Sequence, residues 1–204
     1  GIISQDDAST IEAGLWQILG RSFAAVSRGD EARMALREAW LRMQAQYGAA
    51  DPRTLEAERL LLAHAAPGGD PAERLQGLRD LHARALAATD EWHPLPALVA
   101  ADLAGFHLQH GQVDQARQWL ETPWQRRARV RWQNPLDRSV LEVLWLQLLQ
   151  RLGDTGAMLA TARETRAWVE AHAGARHRNA LLARNLEIGA LLQLGRLADA
   201  EREA

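Results

Sequence analysis

The strongest constraint on this chain is a period of about 42 residues. Glycines that close a helical pattern recur at Gly29, Gly69, Gly111, Gly153 and Gly195, spaced 40, 42, 42 and 42. A second series keeps step with it: a polar residue precedes proline at Asp51-Pro52, His93-Pro94 and Asn134-Pro135, spaced 42 and 41. A further 42 residues lead to His177, which opens the next apolar run without a proline. A polar side chain followed by proline is helix N-terminal chemistry. The side chain accepts an otherwise unsatisfied backbone N–H, and proline has no N–H to leave unpaired. Glycine suits the other end, where a left-handed residue lets the chain reverse. The unit is therefore helix A, glycine turn, helix B and a polar-proline connection. Five units fit, at about 10–50, 51–92, 93–133, 134–175 and 176–204 (the last truncated), after an N-terminal tail at 1–9.

One such helix pair cannot bury both of its faces, so stacked neighbours must complete the core. The prediction is an all-α superhelix, an α-solenoid of about five antiparallel helix pairs. A closed bundle of helical hairpins is the alternative, and a constant period argues against it. Composition agrees with helix. Alanine fills 38 of 204 positions and leucine 32, against 12 for valine and isoleucine together, a balance that disfavours sheet. Trp16, Leu19, Phe23 and Val26 fall in helical phase, and Leu141, Leu144, Trp145, Leu148 and Leu149 form a wide apolar face. The longest apolar run, around Val140–Leu149, is broken by Glu142 and Gln147 and is too short for a membrane span. The start at Gly1-Ile2-Ile3-Ser4 and the end at Ala198–Ala204, within a helical pattern, read as a fragment of a longer chain. The compartment is left open: cytoplasmic, or periplasmic if a span lies upstream.

The first unit, Trp16-x-x-Leu19-Gly20-x-x-Phe23 followed by Ala32, Leu36 and Ala39, resembles a tetratricopeptide repeat. Ser27 takes the usual glycine position, two residues before Gly29. Leu103, Ala104, Gly111, Ala116 and Leu120 repeat part of the pattern in the third unit, Gly195 and Ala200 in the fifth; the second and fourth match in phase. The 42-residue period, Tyr47–Thr54 and Leu194–Glu201 are similar to the kinesin-light-chain type. This resemblance, over roughly residues 10–204, implies close helix crossings at Gly20 and Ala32. In arginine- and alanine-rich bacterial proteins, such arrays form sensory or scaffolding regions attached to serine/threonine kinases and transcriptional regulators.

Little in the sequence points to chemistry. All 24 basic residues are arginine, so lysine Schiff bases and the P-loop lysine are excluded, and the lack of cysteine excludes thiol nucleophiles and thiolate metal sites. Motifs for hydrolases, zinc proteases, nucleotide binding and calcium loops are missing. His107 and His110 share a helix face but lack a third ligand, and read as polar residues at a helix end. Asp6-Asp7 and Asp90-Glu91 read as capping or loop charges, and Arg28-Gly29-Asp30 as a hairpin turn. No catalytic residue, metal or cofactor is expected, and the formal charge of −2 gives no general attraction for nucleic acid.

Trp119, Trp124 and Trp132 interleave with Arg126, Arg127, Arg129 and Arg131. The favoured reading packs the indoles between repeats, with the arginines solvated or paired with acids. The other makes Trp124, Arg126, Arg127, Arg129 and Arg131 a patch for an anionic partner. Trp16, Trp145 and Trp168 are expected in the core. Trp92 and Trp132, one repeat apart, are expected between repeats.

In tetratricopeptide arrays the A helices line the concave face. The resemblance then places Gln17, Arg21, His64, Gln109, Gln147, Arg151, Asn185 and Gln193 there. Amide side chains both donate and accept, and so can grip an extended backbone. The leading reading is a non-catalytic protein- or peptide-binding module within a larger bacterial signalling protein. The alternative is a small-molecule or oligosaccharide sensor in a helical-repeat transcriptional regulator. No membrane contact is expected from this segment, and its oligomeric state is unassigned.

Overall fold

The computed structural model describes residues 5–64 and 69–204, with the side chains of residues 5–10 set aside. Gly1–Ser4 and the side chains of Asp6 and Asp7 therefore lie outside the described residues. The rest is helical: α1 (Gln5–Ala25), α2 (Gly29–Tyr47), α3 (Pro52–Ala63), α4 (Pro71–Ala88), α5 (Pro94–Gln109), α6 (Val113–Arg126), α7 (Pro135–Leu152), α8 (Thr155–Ala173), α9 (Arg178–Gln193) and α10 (Leu197–Glu203). No strand occurs among the described residues. Consecutive helices pack as five antiparallel pairs, the architecture of an α-solenoid.

Capping explains where the helices start. Asp51, His93 and Asn134 each accept a backbone N–H from two residues ahead, with proline at the first helical position, and His177 does the same without proline. Asp70-Pro71 uses the same chemistry to start α4, a B helix that the polar-proline series did not include. The turns use left-handed residues. Gly111, Gly153 and Gly195 have φ between 71° and 73°, and Ser27 has φ 61°. Gly29 is instead the first residue of α2.

The chain forms two compact units, Gly1–Glu91 and Trp92–Ala204. In the first, α1 lies on α2, α2 on α3 and α3 on α4. The α1–α2 crossing is close: a Cβ built on Gly20 would stand 2.6 Å from the Leu36 side chain and 3.2 Å from its backbone nitrogen. Ala32 is fully buried nearby in sequence. The apolar stripe expected on α1 is shifted, however. Ala13 and Gly20 are buried and Trp16 and Phe23 half-buried, whereas Leu19 is 44% and Val26 65% exposed. The helix rolls its small residues inward because α2 can approach closely only over them.

In the second unit α5, α7 and α9 pack side by side, with α6, α8 and α10 against them. One core cluster joins Ala101, Ala104 and Leu108 of α5 with Ala116 and Leu120 of α6 and Leu141 and Leu148 of α7. Another joins Leu146 and Leu149 to Met158, Leu159 and Ala162 of α8, Ala183, Ala190 and Leu191 of α9, and Ala200 of α10. In these clusters α7 and α9 each complete the core of the preceding pair as well as their own, as stacking requires.

The tryptophans expected in the core are half-buried instead. Trp145 borders both clusters and stacks on Trp124, with centroids 4.9 Å apart. Trp168 donates its indole N–H to the Pro135 carbonyl at 3.1 Å while Arg138 and His172 approach its ring. An indole with a polar N–H settles at the edge of a core, where that group finds a partner. No described helix is long and apolar enough to cross a membrane.

Candidate functional site

The A helices carry the residues expected to meet a partner, and the repeat phase sorts them. Gln109, Arg151 and Gln193 are 42 residues apart. Each is exposed near the end of its A helix, two residues before Gly111, Gly153 or Gly195. They occupy one equivalent position on three adjacent helices, because each left-handed glycine fixes where its helix ends. Arg151 lies in the last turn of α7, where a cation also favours the negative end of the helix. Gln193 accepts a hydrogen bond from the Thr155 hydroxyl at 2.9 Å, which holds its amide toward the start of α8.

The other expected positions are distributed differently. Gln147 is half-buried on α7, one turn before Arg151. Asn185 is exposed on α9, at the position equivalent to the buried Ala101 and Val143. Gln17 is half-buried and Arg21 exposed on α1. His64 is half-buried after the last turn of α3, at the phase of the buried Phe106, Leu148 and Ala190. Burial holds the His64 imidazole below its ordinary pKa, reinforced by Arg59, Arg74 and Arg21. Arg21 and His64 therefore share one electropositive neighbourhood in the first unit.

The arginine-tryptophan stretch divides into an inner and an outer part. Arg127 turns inward: its guanidinium lies over Trp124 at 3.7 Å, donates to the Trp124 carbonyl, and pairs with Glu164 at 3.1 Å and Glu142 at 3.8 Å. Trp132 packs on the α5–α7 core and donates its indole N–H to the Arg127 carbonyl at 2.9 Å. Arg126, Arg129 and Arg131 are exposed. Arg126 and Arg129 both approach the ring of Trp92, at 6.0 and 5.7 Å from its centroid.

Two buried carboxylates stand apart from the expected site residues. Glu142 has a side chain only 1% exposed and accepts from Arg138 at 2.6 Å. Burial raises its pKa against the opposing pull of Arg138 and Arg127. Glu187 is fully buried and meets Arg163 at 2.7 Å and Arg166 at 3.4 Å. Arg138, four residues before Glu142, is a local partner, but Arg127 and Arg163 lie 15 and 24 residues before the carboxylates they meet.

His107 also departs from expectation. It is 2% exposed, with Nδ1 2.6 Å from the Gln112 side-chain oxygen, while the Nδ1 of His110 lies 2.8 Å from the Phe106 carbonyl. Apolar neighbours around the last turn of α5 bury His107, and each ring has a local partner. No group of three or more metal-ligating side chains occurs among the described residues.

No protein-family model matches the chain, and no curated protein matches it. Solved structures do. One is of a Podosopora anserina protein assigned as a kinesin light chain, with nearly identical TPR-like repeats. It is 16% identical to this chain, with a TM-score of 0.64 over 92% of this chain and 89% of that one. A second structure carrying the same description is 17% identical, with a TM-score of 0.63 over the same shares. The chain thus has the TPR-like, tetratricopeptide-repeat-like solenoid fold.

Proposed function

We propose that this chain is a non-catalytic module that binds a protein or an extended peptide along its A helices. The observation that carries the reading is the row Gln109, Arg151 and Gln193, one exposed polar side chain at the same place on three adjacent helices. Packed helices lie about 8–10 Å apart, and an extended chain rises about 3.3 Å per residue. A peptide laid across the row would meet one of these side chains about every third residue. Glutamine and arginine suit that task, since together they donate to carbonyls and accept from N–H groups. TPR-like repeats generally bind protein partners, which supports the same reading. So does the state of the buried carboxylates: Glu142 and Glu187 are held by arginines within the fold.

A small-molecule sensor is less well supported. Trp124 and Trp145, the pair that would line an aromatic pocket, stack on each other, and Arg127 lies on Trp124. We place the module in the sensory or scaffolding part of a larger bacterial signalling protein, such as a serine/threonine kinase. That placement rests on the resemblance of these arginine- and alanine-rich repeats to the arrays attached to such proteins.

The test is direct. Peptides selected on the 204-residue chain from a random display library are titrated by calorimetry into the wild type and into Gln147→Ala/Arg151→Ala. Loss of a desolvated polar grip predicts affinity weaker by about tenfold or more. Unchanged affinity across the selected peptides would overturn the assignment of this surface.

A further inference from the structure

The basic turn after α6 is built more firmly than a solvated charge run. The Arg126 carbonyl accepts from the Arg129 and Val130 amides at 2.8 and 3.3 Å. Val130 is buried, the Arg127 carbonyl accepts from the Trp132 indole, and the Arg131 amide donates to the Trp92 carbonyl at 2.9 Å. The backbone is therefore fixed at several points between residues 126 and 132. Arg127 is drawn inward to Glu142 and Glu164. Three guanidiniums, those of Arg126, Arg129 and Arg131, remain exposed on this held turn, and two of them converge on the Trp92 ring.

We infer that this turn, with Trp92, is a recognition site for a phosphorylated side chain on a protein partner. The inference rests on the protein-binding reading above and adds a second contact outside the A-helix row. Guanidinium is a planar fork that donates two parallel hydrogen bonds, a match for phosphoryl oxygens. A phosphoryl group carries about −1.5 to −2 charge at neutral pH, so it repays the approach of several arginines better than one carboxylate does. Charge matters because Arg126 and Arg131 already make further interactions of their own. A ligand that exchanges into the turn must therefore be the stronger anion. Fixing the turn beforehand also lowers the ordering cost of binding.

Nucleic acid fits less well. Single strands bind by stacking bases on open aromatic faces. Here Trp124 is stacked on Trp145 and carries Arg127, and Trp92 is approached by two guanidiniums. The chain's formal charge of −2 adds no long-range attraction for a polyanion.

The experiment follows the indole and amide resonances of the labelled 204-residue chain, with the Trp92 signal identified by its loss in Trp92→Phe. The probes are a pentapeptide with one central phosphoserine, the same peptide with serine or glutamate there, and a short oligothymidine. The phosphopeptide is expected to shift Trp92 and residues 126–131 saturably, with a Kd about tenfold or more below that of the glutamate peptide. Arg126→Gln/Arg129→Gln is expected to remove the shifts while the Trp124 and Trp145 signals stay in place, which shows an intact fold. Equal binding of the glutamate peptide, tighter binding of the oligonucleotide, or shifts that survive the double substitution would each overturn the site. Gln147→Ala/Arg151→Ala is expected to leave these shifts unchanged. If that variant loses its selected peptides while the phosphopeptide fails to bind, the module reading stands and only this site falls.

Discussion

Ser27 is the only described non-glycine residue with positive φ, at 61°. It stands two periods of 42 residues before Gly111, so it fills the turn position that glycine fills at 111, 153 and 195. An L side chain in that conformation costs roughly 1–2 kcal/mol. Ser27→Gly should therefore raise stability by about 1 kcal/mol, and Gly153→Ala should lower it by a similar amount. The alanine methyl would meet nothing within 4 Å, so its effect would come from the backbone alone. Urea unfolding of the two variants checks both signs. This scale was the most legible in the sequence. Asp51, His93, Asn134 and His177 cap helices because their chemistry acts over two or three residues, and adjacent residues reveal it. Gly29 misled for the same local reason, being a glycine close to a turn whose left-handed residue is Ser27.

Between elements, two ionic clasps tie successive helices of the second unit. Glu142 of α7 joins Arg138 to Arg127 at the end of α6, and both arginines also reach Glu164 of α8. Glu187 of α9 takes Arg163 and Arg166 of α8, and Arg166 continues to Glu203 of α10. Removing one partner of a buried pair strands the other, which costs about 3–5 kcal/mol. Arg163 is 46% exposed and can turn to water, and Arg166 keeps Glu203, so Glu187→Ala should fall below that range, at about 2 kcal/mol. Asp199→Ala removes only the exposed pairs with Arg196 and Arg202 and should cost at most about 1 kcal/mol. Comparable losses from the two variants would contradict the clasp. The sequence presents Glu142 as an interruption of an apolar run, because its second arginine, Arg127, comes from the end of another helix. The same limit explains α1. Periodicity located an amphipathic helix, but only packing on α2 shows that Gly20 faces inward while Leu19 and Val26 face out.

At the scale of the whole molecule, stability near neutral pH should respond chiefly through histidine. Burial, with nearby arginines, lowers the pKa of His64, and burial alone lowers that of His82. Both favour the neutral ring when folded. Their contribution is complete above the unfolded value of about 6.5 and is lost as pH falls through the lower folded values. The thermal midpoint should therefore fall on acidification below about pH 6.5, and His64→Gln/His82→Gln should flatten that dependence. Glu142 has the opposite sign, since its raised pKa favours the folded state at lower pH. The five-pair architecture was readable from one period and one capping motif. The proposed binding surface was readable only in part. Repeat phase identifies Gln109, Arg151 and Gln193 as equivalent, whereas the half-burial of Gln17, His64 and Gln147 depends on side chains packed around them.

The central claim is that a partner lies across the ends of the A helices. Site-specific photo-crosslinking tests it most directly, with benzoylphenylalanine placed in turn at positions 109, 151 and 193, and at the exposed Arg117 of α6 as a control. With a peptide selected on the wild-type chain, the account predicts adducts at all three A-helix positions and none at 117. Crosslinking at 117 as strong as at 151, or none along the row, would contradict it.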